Sequence, residues 1–387
     1  MRPESPTYNT LVEFLSRVDG LGRKTAWRLA ERFRDWERFQ REGPELLRGG
    51  SSFLPEEASR ALAAALKDAP AFIPSPNFIS FQDPRYPSRL HELYDPPCGL
   101  YFRGDWEIFA RARPWVALVG TRRASRYALE ICGRLVAEMK GFDPVIVSGL
   151  ALGVDGMAHR AALSHGLKTV AVLGSSVADI YPARHRDLAR RILQEGGLLL
   201  SETPPDRAVE PWHFPKRNRL IAALCDAVVV VEAPEKSGAL LTADFGLDLG
   251  REIYAVPGSI EDGRNRGAHR LIQEGAKLLS EGREIFVDLG LAEPRKAANS
   301  AAGVGVVPGV LPPDPPPGPL RGPERKLLEI IAFEPSHIDK ITYLSHLPNP
   351  QVAGLLMQLC LKGLAEELPG SYFQLRALGR DLLSNPE

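Results

Sequence analysis

The sequence predicts an α/β protein: a doubly wound parallel sheet with a small all-α N-terminal domain and a C-terminal winged helix. Three observations carry that prediction. Between residues 115 and 256, short apolar runs rich in Val, Ile and Leu alternate with segments of helical period. Near-continuous apolar strands in βα alternation belong to a parallel sheet covered on both faces. Residues before about 72 show helical periodicity alone, and residues after about 324 show three helical segments followed by a hairpin pattern. The expected domains are therefore 1–72, 77–290 and 324–387, with 291–323, rich in Ala, Gly and Pro, as an extended linker of polyproline character.

The elements follow in order. Leu11, Phe14, Leu15 and Val18 recur at helical spacing, and Ala26, Leu29, Ala30 and Phe33 do so after Asp19-Gly20-Leu21-Gly22-Arg23-Lys24. Helix, Gly-x-Gly turn, helix is either a plain αα-hairpin or a helix-hairpin-helix, in which backbone N–H groups with Arg23 and Lys24 would hold a DNA phosphate. Residues 54–66 read as a further helix, and 77–104 as a Pro-punctuated entry to the central domain. There the spacing predicts strands at 116–119, 145–148, 169–173, 198–201, 227–231 and 253–256. Helices are predicted at 127–140, after 155, at 183–195, at 218–224 and at 239–249. In the C-terminal segment, helices at 325–332, around 338–344 and at 350–362 precede a hairpin turning at Pro369-Gly370. The third helix of such a domain usually reads DNA. Here it carries one Lys and no Arg, and the wing carries Glu366 and Glu367, so a packing or protein-contact role is expected.

Composition narrows the function classes. The chain has 387 residues, 44% of them hydrophobic and 25% charged, with 48 basic and 48 acidic residues. Bulk charge thus says nothing about nucleic acid, and any such case rests on local clusters. Cys98, Cys132, Cys225 and Cys360 lie far apart without a Cys-x-x-Cys, so neither a disulfide framework nor a metal site is expected. No cofactor is indicated. The N-terminus lacks an apolar h-region and no apolar run reaches about 18 residues, so the expected location is cytoplasmic with no membrane contact.

The most informative stretch is 212–258. Trp212-His213-Phe214-Pro215-Lys216-Arg217-Asn218-Arg219 places aromatic and basic residues before a helix, which feeds a buried strand and then the Ser237-Gly238 turn. Ligands of parallel sheets sit at the carboxyl ends of strands. The residues offered there suit a polyanion with planar bases.

These residues belong to a longer pattern that resembles the DprA/Smf family (DNA-processing protein A). The motifs are Val-Gly-Thr-Arg-x-x-Ser-x-Tyr (119–127), Ser-Gly-Leu-Ala-x-Gly-x-Asp (148–155) with Ala158-His159, and Val-Leu-Gly…Tyr-Pro (172–182). They continue with Ser201-Glu202, Phe-Pro-x-Arg-Asn-Arg (214–219), Ser-Gly-x-Leu-x-Thr-Ala (237–243) and Gly250-Arg251…Pro257-Gly258. The resemblance covers about 77–290 and extends more weakly to both ends. It implies an extended Rossmann fold, a homodimer through the central domain, and no enzymatic activity. It further implies sequence-independent binding and protection of single-stranded DNA, and loading of the RecA recombinase during natural transformation and DNA recombination. Leu152, Ala128, Ser175-Ser176, His185 and His269 depart from the residues usual at their places.

A non-specific single-strand binder needs cations and N–H donors for phosphates and flat faces for bases. The candidate DNA-binding residues follow from this. Gly120, Thr121, Arg122 and Ser125 form a strand-to-helix turn that can hold a phosphate. Ser148, Gly149 and Gly153 let the backbone approach a ligand, and Gly174 ends the third strand in the same way. Phe214 is the base-stacking candidate. Lys216, Arg217 and Arg219 would neutralise phosphates, with Asn218 as a cap or contact. Lys236, Ser237, Gly238 and Thr242 offer charge, hydroxyls and an N–H at the next helix start. Asp155 is expected as an N-cap and His159 as a core residue. Tyr181-Pro182 is either a structural turn or part of the groove. The rival reading is a phosphoribohydrolase-like nucleotide hydrolase using Asp155, Glu202 and Glu232. It lacks the Pro-Gly-Gly-x-Gly-Thr-x-x-Glu signature, and Glu-Lys-Ser-Gly-Ala-Leu-Leu-Thr-Ala stands in its place. A pure scaffold is disfavoured by the basic segment 214–219.

Overall fold

The computed structural model describes residues 6–48, 54–68, 71–291, 322–331, 336–345, 347–362, 364–368 and 371–375. The linker expected over 291–323 falls, from 292 to 321, outside the described residues, as does the Pro369-Gly370 turn.

Four helices open the chain: α1 (Pro6–Arg17), α2 (Arg23–Phe33), α3 (Trp36–Arg48) and α4 (Glu56–Asp68). Their apolar stripes meet in a core of Leu11, Leu15, Leu29, Phe39 and Leu62. That core continues into Phe78, Tyr101, Leu173, Ile192 and Leu199 of the central region. The helical segment and the sheet accordingly fall in one compact unit. In the Gly20–Lys24 turn, Arg23 forms an ion pair with Asp95 of the central region and is not free for a phosphate.

The segment read as an entry supplies β1 (Phe78–Ser80) and β2 (Gly99–Gly104), antiparallel strands of which the first is too short to show a period and the second buries its first three residues without alternating. Then come β3 (Trp115–Val119), α5 (Arg126–Met139), β4 (Val145–Ser148), α6 (Val154–Ser164), β5 (Thr169–Leu173), α7 (Arg186–Gln194) and β6 (Leu198–Ser201). After these follow α8 (His213–Leu224), β7 (Ala227–Val230), α9 (Gly238–Asp248), β8 (Glu252–Ala255), α10 (Arg266–Gln273), β9 (Lys277–Leu278) and α11 (Glu284–Asp288). The sheet order is β1-β2-β6-β5-β4-β3-β7-β8-β9, parallel from β6 to β9.

Side-chain alternation sorts each strand between two cores. In β3, Trp115, Ala117 and Val119 face the layer of α8, α9 and α10, while Val116 and Leu118 face α5 and α6. In β7, Val228 and Val230 take the first side, and Ala227 and Val229 the second. From β3 the chain winds through β4, β5 and β6 in one direction, then returns to place β7 on the other side of β3. The helices after β3 and β7, α5 and α9, lie on opposite faces of the sheet. Their connections diverge there, which opens a crevice at the switch point.

One helix boundary differs with consequences for the site. α8 starts at His213, not after the basic segment. Pro215 falls in the first turn, where its missing N–H is no loss, and Lys216 N–H already bonds Trp212 C=O. Residues 214–219 therefore fan around a helix.

The second unit holds α12 (Gly322–Ile330), β10 (Ser336–His337), α13 (Ile338–Ser345), α14 (Asn349–Leu361), β11 (Ala365–Leu368) and β12 (Tyr372–Leu375), with strand order β10-β12-β11. Leu327, Leu328, Ile341, Val352, Leu356, Leu359 and Phe373 form its core. This is a winged helix. The exposed positions of α14 include Gln351, Ala353, Met357 and Gln358, and Lys362 beyond its end pairs with Glu324 at 2.7 Å. No described helix is long and apolar enough to cross a membrane.

His159 sits in α6, fully buried. Thr169 Oγ1 donates to Ile146 C=O at 2.7 Å, so His159 Nδ1 must donate to Thr169 Oγ1 at 2.7 Å, and the ring is neutral. Burial, reinforced by nearby cations, pushes its pKa down to about 3 from 6.5. Between those values the unfolded chain holds a proton that the folded chain refuses, so stability falls as pH drops below about 6.5, with nothing lost above it. The expected loss is about 2 kcal/mol between roughly pH 7 and pH 5. Denaturant titrations at the two pH values check it, and the His159→Gln variant should lack that part of the slope.

Candidate nucleic-acid interface

The crevice at the carboxyl ends of β3 and β7 is an open groove of about 770 Å³. Its walls are the turn after β3 (120–123), Asp155, Tyr181, residues 209–211, the α8 face of Phe214, Asn218 and Ile221, and the start of α9 from Pro234 to Thr242. Most of the candidate residues are thus brought to one place, but they do different things there.

The first turn is rigid. Thr121 N–H donates to Glu232 C=O at 2.8 Å. A Cβ on Gly120 would lie 2.6 Å from Val154 and 2.9 Å from Glu232 C=O, so the position admits only glycine. Ser125 caps α5 by accepting from Ala128 N–H at 3.1 Å, while its hydroxyl donates to the buried Glu232 carboxylate. Glu232 also accepts Ser125 N–H at 3.0 Å. Ser125 is therefore committed within the protein. Arg122 and Arg123 stand exposed, with no ion-pair partner among the described residues.

Phe214 is the hinge of the groove wall. Its ring rests on Gly174, where a Cβ would approach to 2.7 Å. Gly174 makes room for the ring. Tyr181 packs beside Phe214 at 5.4 Å with planes tilted by 49°, and is itself half exposed. The Arg122 guanidinium lies over the Phe214 ring at 5.3 Å, within the range of a cation–π contact. Tyr181 is consequently a groove residue. The sequence alone does not decide between a turn and a groove position for Tyr181, because only the folded connection after β5 brings it back to Phe214 of α8.

Several candidates are structural. Ser148 is fully buried and donates to Leu118 C=O at 2.6 Å. Gly149 is buried under Arg217, whose guanidinium a Cβ would meet at 2.4 Å. Gly153, with φ +78, packs against the first turn, a Cβ there falling 2.3 Å from Thr121 C=O. Arg217 is only 7% exposed: it donates to Gly149 C=O at 2.8 Å and also to Val172 C=O. Arg219 is 5% exposed and pairs with Glu202 at 2.5 Å, which Lys216 also approaches at 3.1 Å. Lys216 and Arg219 lie on the α8 side turned away from Phe214, one reason being the 100° helical step that the loop reading could not foresee. Asn218 bridges helices, donating to Gly238 C=O at 3.0 Å. Thr242 lines the groove but is buried. Ser237 caps α9 by accepting from Ala239 N–H, while Lys236 and Gly238 are exposed.

Asp155 is not the cap of α6. It reaches back to accept the N–H of Gly149 at 3.1 Å and of Ala151 at 3.4 Å. Burial pushes its carboxyl up, against the pull of Arg217 and these N–H groups. Burial likewise brings Arg217 down to about 10, against the pull of Asp155. Two departures from the family pattern find partners here: His185 bonds Leu150 C=O at 2.8 Å through Nδ1, and His269 bonds Gly258 C=O at 3.1 Å.

Removing Arg217 strips the carbonyls of Gly149 and Val172 of their donor and takes the nearby cation from the buried Asp155. Arg217→Met should cost about 3–5 kcal/mol in denaturant unfolding. The double variant with Asp155→Asn should recover part of that, since no charge is then left unpaired. Equal losses in the single and double variants would show that the pair is not the relevant link.

The chain is similar to known proteins over both of its units. Residues 77–290 match the family model of DNA recombination-mediator protein A, and residues 311–371 match the DprA winged helix domain. The DNA processing protein DprA of Bacillus subtilis is 40% identical over 213 residues, which is 55% of this chain and 71% of that protein. The protein Smf of Escherichia coli is 37% identical over 304 residues, covering 78% of each. The X-ray structure of DNA processing protein A from Streptococcus pneumoniae matches with a TM-score of 0.62 and 32% identity, over 72% of this chain and 97% of that one.

Proposed function

The chain belongs to the DprA/Smf family, and on that footing we propose that its switch-point groove binds single-stranded DNA without regard to base sequence and shields it. The observation that carries this reading is the grouping of Arg122, Tyr181 and Phe214 at the mouth of the groove, with Arg123 and Lys236 exposed on either wall and without an ion-pair partner among the described residues. Phosphates need the cations and bases need the rings, and neither interaction consults base edges. The Gly238 backbone at the start of α9 offers a further close approach, with open space above it.

The reading needs no chemistry at the groove. Each carboxylate that a hydrolase would call on already has work within the protein: Asp155 holds Gly149 and Ala151, Glu202 holds Lys216 and Arg219, and Glu232 holds Ser125. The family resemblance extends the proposal to a homodimer that hands its strand to a RecA recombinase. Sedimentation and the rate of recombinase nucleation on a pre-covered strand test those two steps.

Arg122→Ala should weaken oligothymidine binding roughly ten- to hundredfold, the worth of a charge-assisted contact. Phe214→Ala removes one stacked base, about 1–3 kcal/mol. Both should leave affinity less dependent on DNA sequence than on salt, and log affinity should fall linearly with log salt. Fluorescence anisotropy over a salt series checks this. Unchanged binding by Arg122→Ala, or tight binding to one sequence alone, refutes the reading.

A further inference from the structure

We propose that α2 carries a second DNA-contacting surface, a ridge of Lys24, Arg28 and Arg32 that takes the phosphate backbone of duplex DNA adjoining the strand in the groove. The three residues stand at i, i+4 and i+8, so they line one face of the helix at steps of about 6 Å. All three are exposed, while Ala26, Leu29, Ala30 and Phe33 bury the opposite face.

They lack the carboxylate partners that many helix arginines of this unit have. In α3, Arg38 and Arg41 both meet Glu42, and in α5 Arg126 meets Glu130 and Arg134 meets Glu138. In α7, Arg186, Arg190 and Arg191 meet Asp179, Asp187 and Glu195. On α2, Lys24, Arg28 and Arg32 have no ion-pair partner among the described residues, although Glu31 stands three positions after Arg28. Arg32 makes only a distant contact with the Phe33 ring at 6.0 Å.

The helix is also firmly seated. Arg23 pairs with Asp95, and Trp27 packs on Phe81 at 4.2 Å between ring centroids. That packing occupies the Trp27 ring, and Phe33 is buried. The ridge therefore offers charge without a free aromatic face. A single strand needs such faces for its bases. A duplex keeps its bases stacked and presents phosphates alone, which is what a row of cations on a convex helix can engage.

The test uses the full chain and three ligands: oligothymidine, the same oligothymidine joined to a duplex, and blunt duplex. Wild type should bind the joined substrate several-fold more tightly than oligothymidine alone. The triple variant Lys24→Ala, Arg28→Ala, Arg32→Ala should lose that gain and its blunt-duplex binding, and the salt slope on duplex should fall by about 2–3. Its oligothymidine affinity should hold. Glu31→Gln, which removes a repelling carboxylate, should raise duplex affinity. A triple variant that keeps the gain, as it would if the ridge served an acidic protein, overturns the proposal. So does one that loses oligothymidine binding equally. Blunt duplex isolates the ridge from the groove, so the two readings fail separately.

Discussion

The buried Asp155 and Arg217, which hold Gly149 from two sides, are the constraint on which the groove depends. One comes from the start of α6, the other from α8, and both bond the loop that leaves β4. Arg217 holds the carbonyls of Gly149 and Val172, and Asp155 holds the N–H groups of Gly149 and Ala151. The ends of two neighbouring strands are thus tied to a helix that arrives much later in the chain. Such a pair contributes little net stability compared with well-packed apolar residues, but losing one member is costly. Its value here is geometric. It sets the rotation of α8, and through that rotation it decides that Phe214 faces the crevice while Lys216 and Arg219 face Glu202.

Topology supplies the rest. A crevice forms where the connections from β3 and β7 part to opposite faces, and two helix starts, those of α5 and α9, border it. Glycines at 120, 149, 153 and 174 do not line the crevice for a ligand so much as let its walls close on one another. Thr121, Arg217 and Phe214 each lie where a Cβ would otherwise stand.

The central strands were legible because both faces are buried and the apolar runs are nearly unbroken. β1 and β9 were not, since two or three residues cannot display a period, and β2 runs from a buried start to exposed Arg103 and Gly104 without alternating. The site was legible as a neighbourhood and less so as a set of roles. The basic segment 214–219 looks like a charged loop when written out. Folded as a helix it sends Arg217 inward, Arg219 to Glu202 and Asn218 to Gly238, and composition alone does not register that rotation. Arg122 needed no such correction, because a residue in a tight turn after a buried strand has little choice but to face outward. Tyr181 is the opposite case. Its place depends on a long return from β5 that no local pattern encodes.

The position of Arg122 over the Phe214 ring has a consequence for what the groove accepts. In the free protein the guanidinium lies over the ring while staying exposed, so a ligand meets charge and ring side by side. A ligand that brings only anionic groups engages Arg122 alone, and one that brings only flat rings engages Phe214 alone. A chain carrying both, spaced along one backbone, exchanges the internal contact for two external ones at once. On the proposed reading, a strand of nucleic acid supplies both halves of a contact the protein otherwise makes with itself.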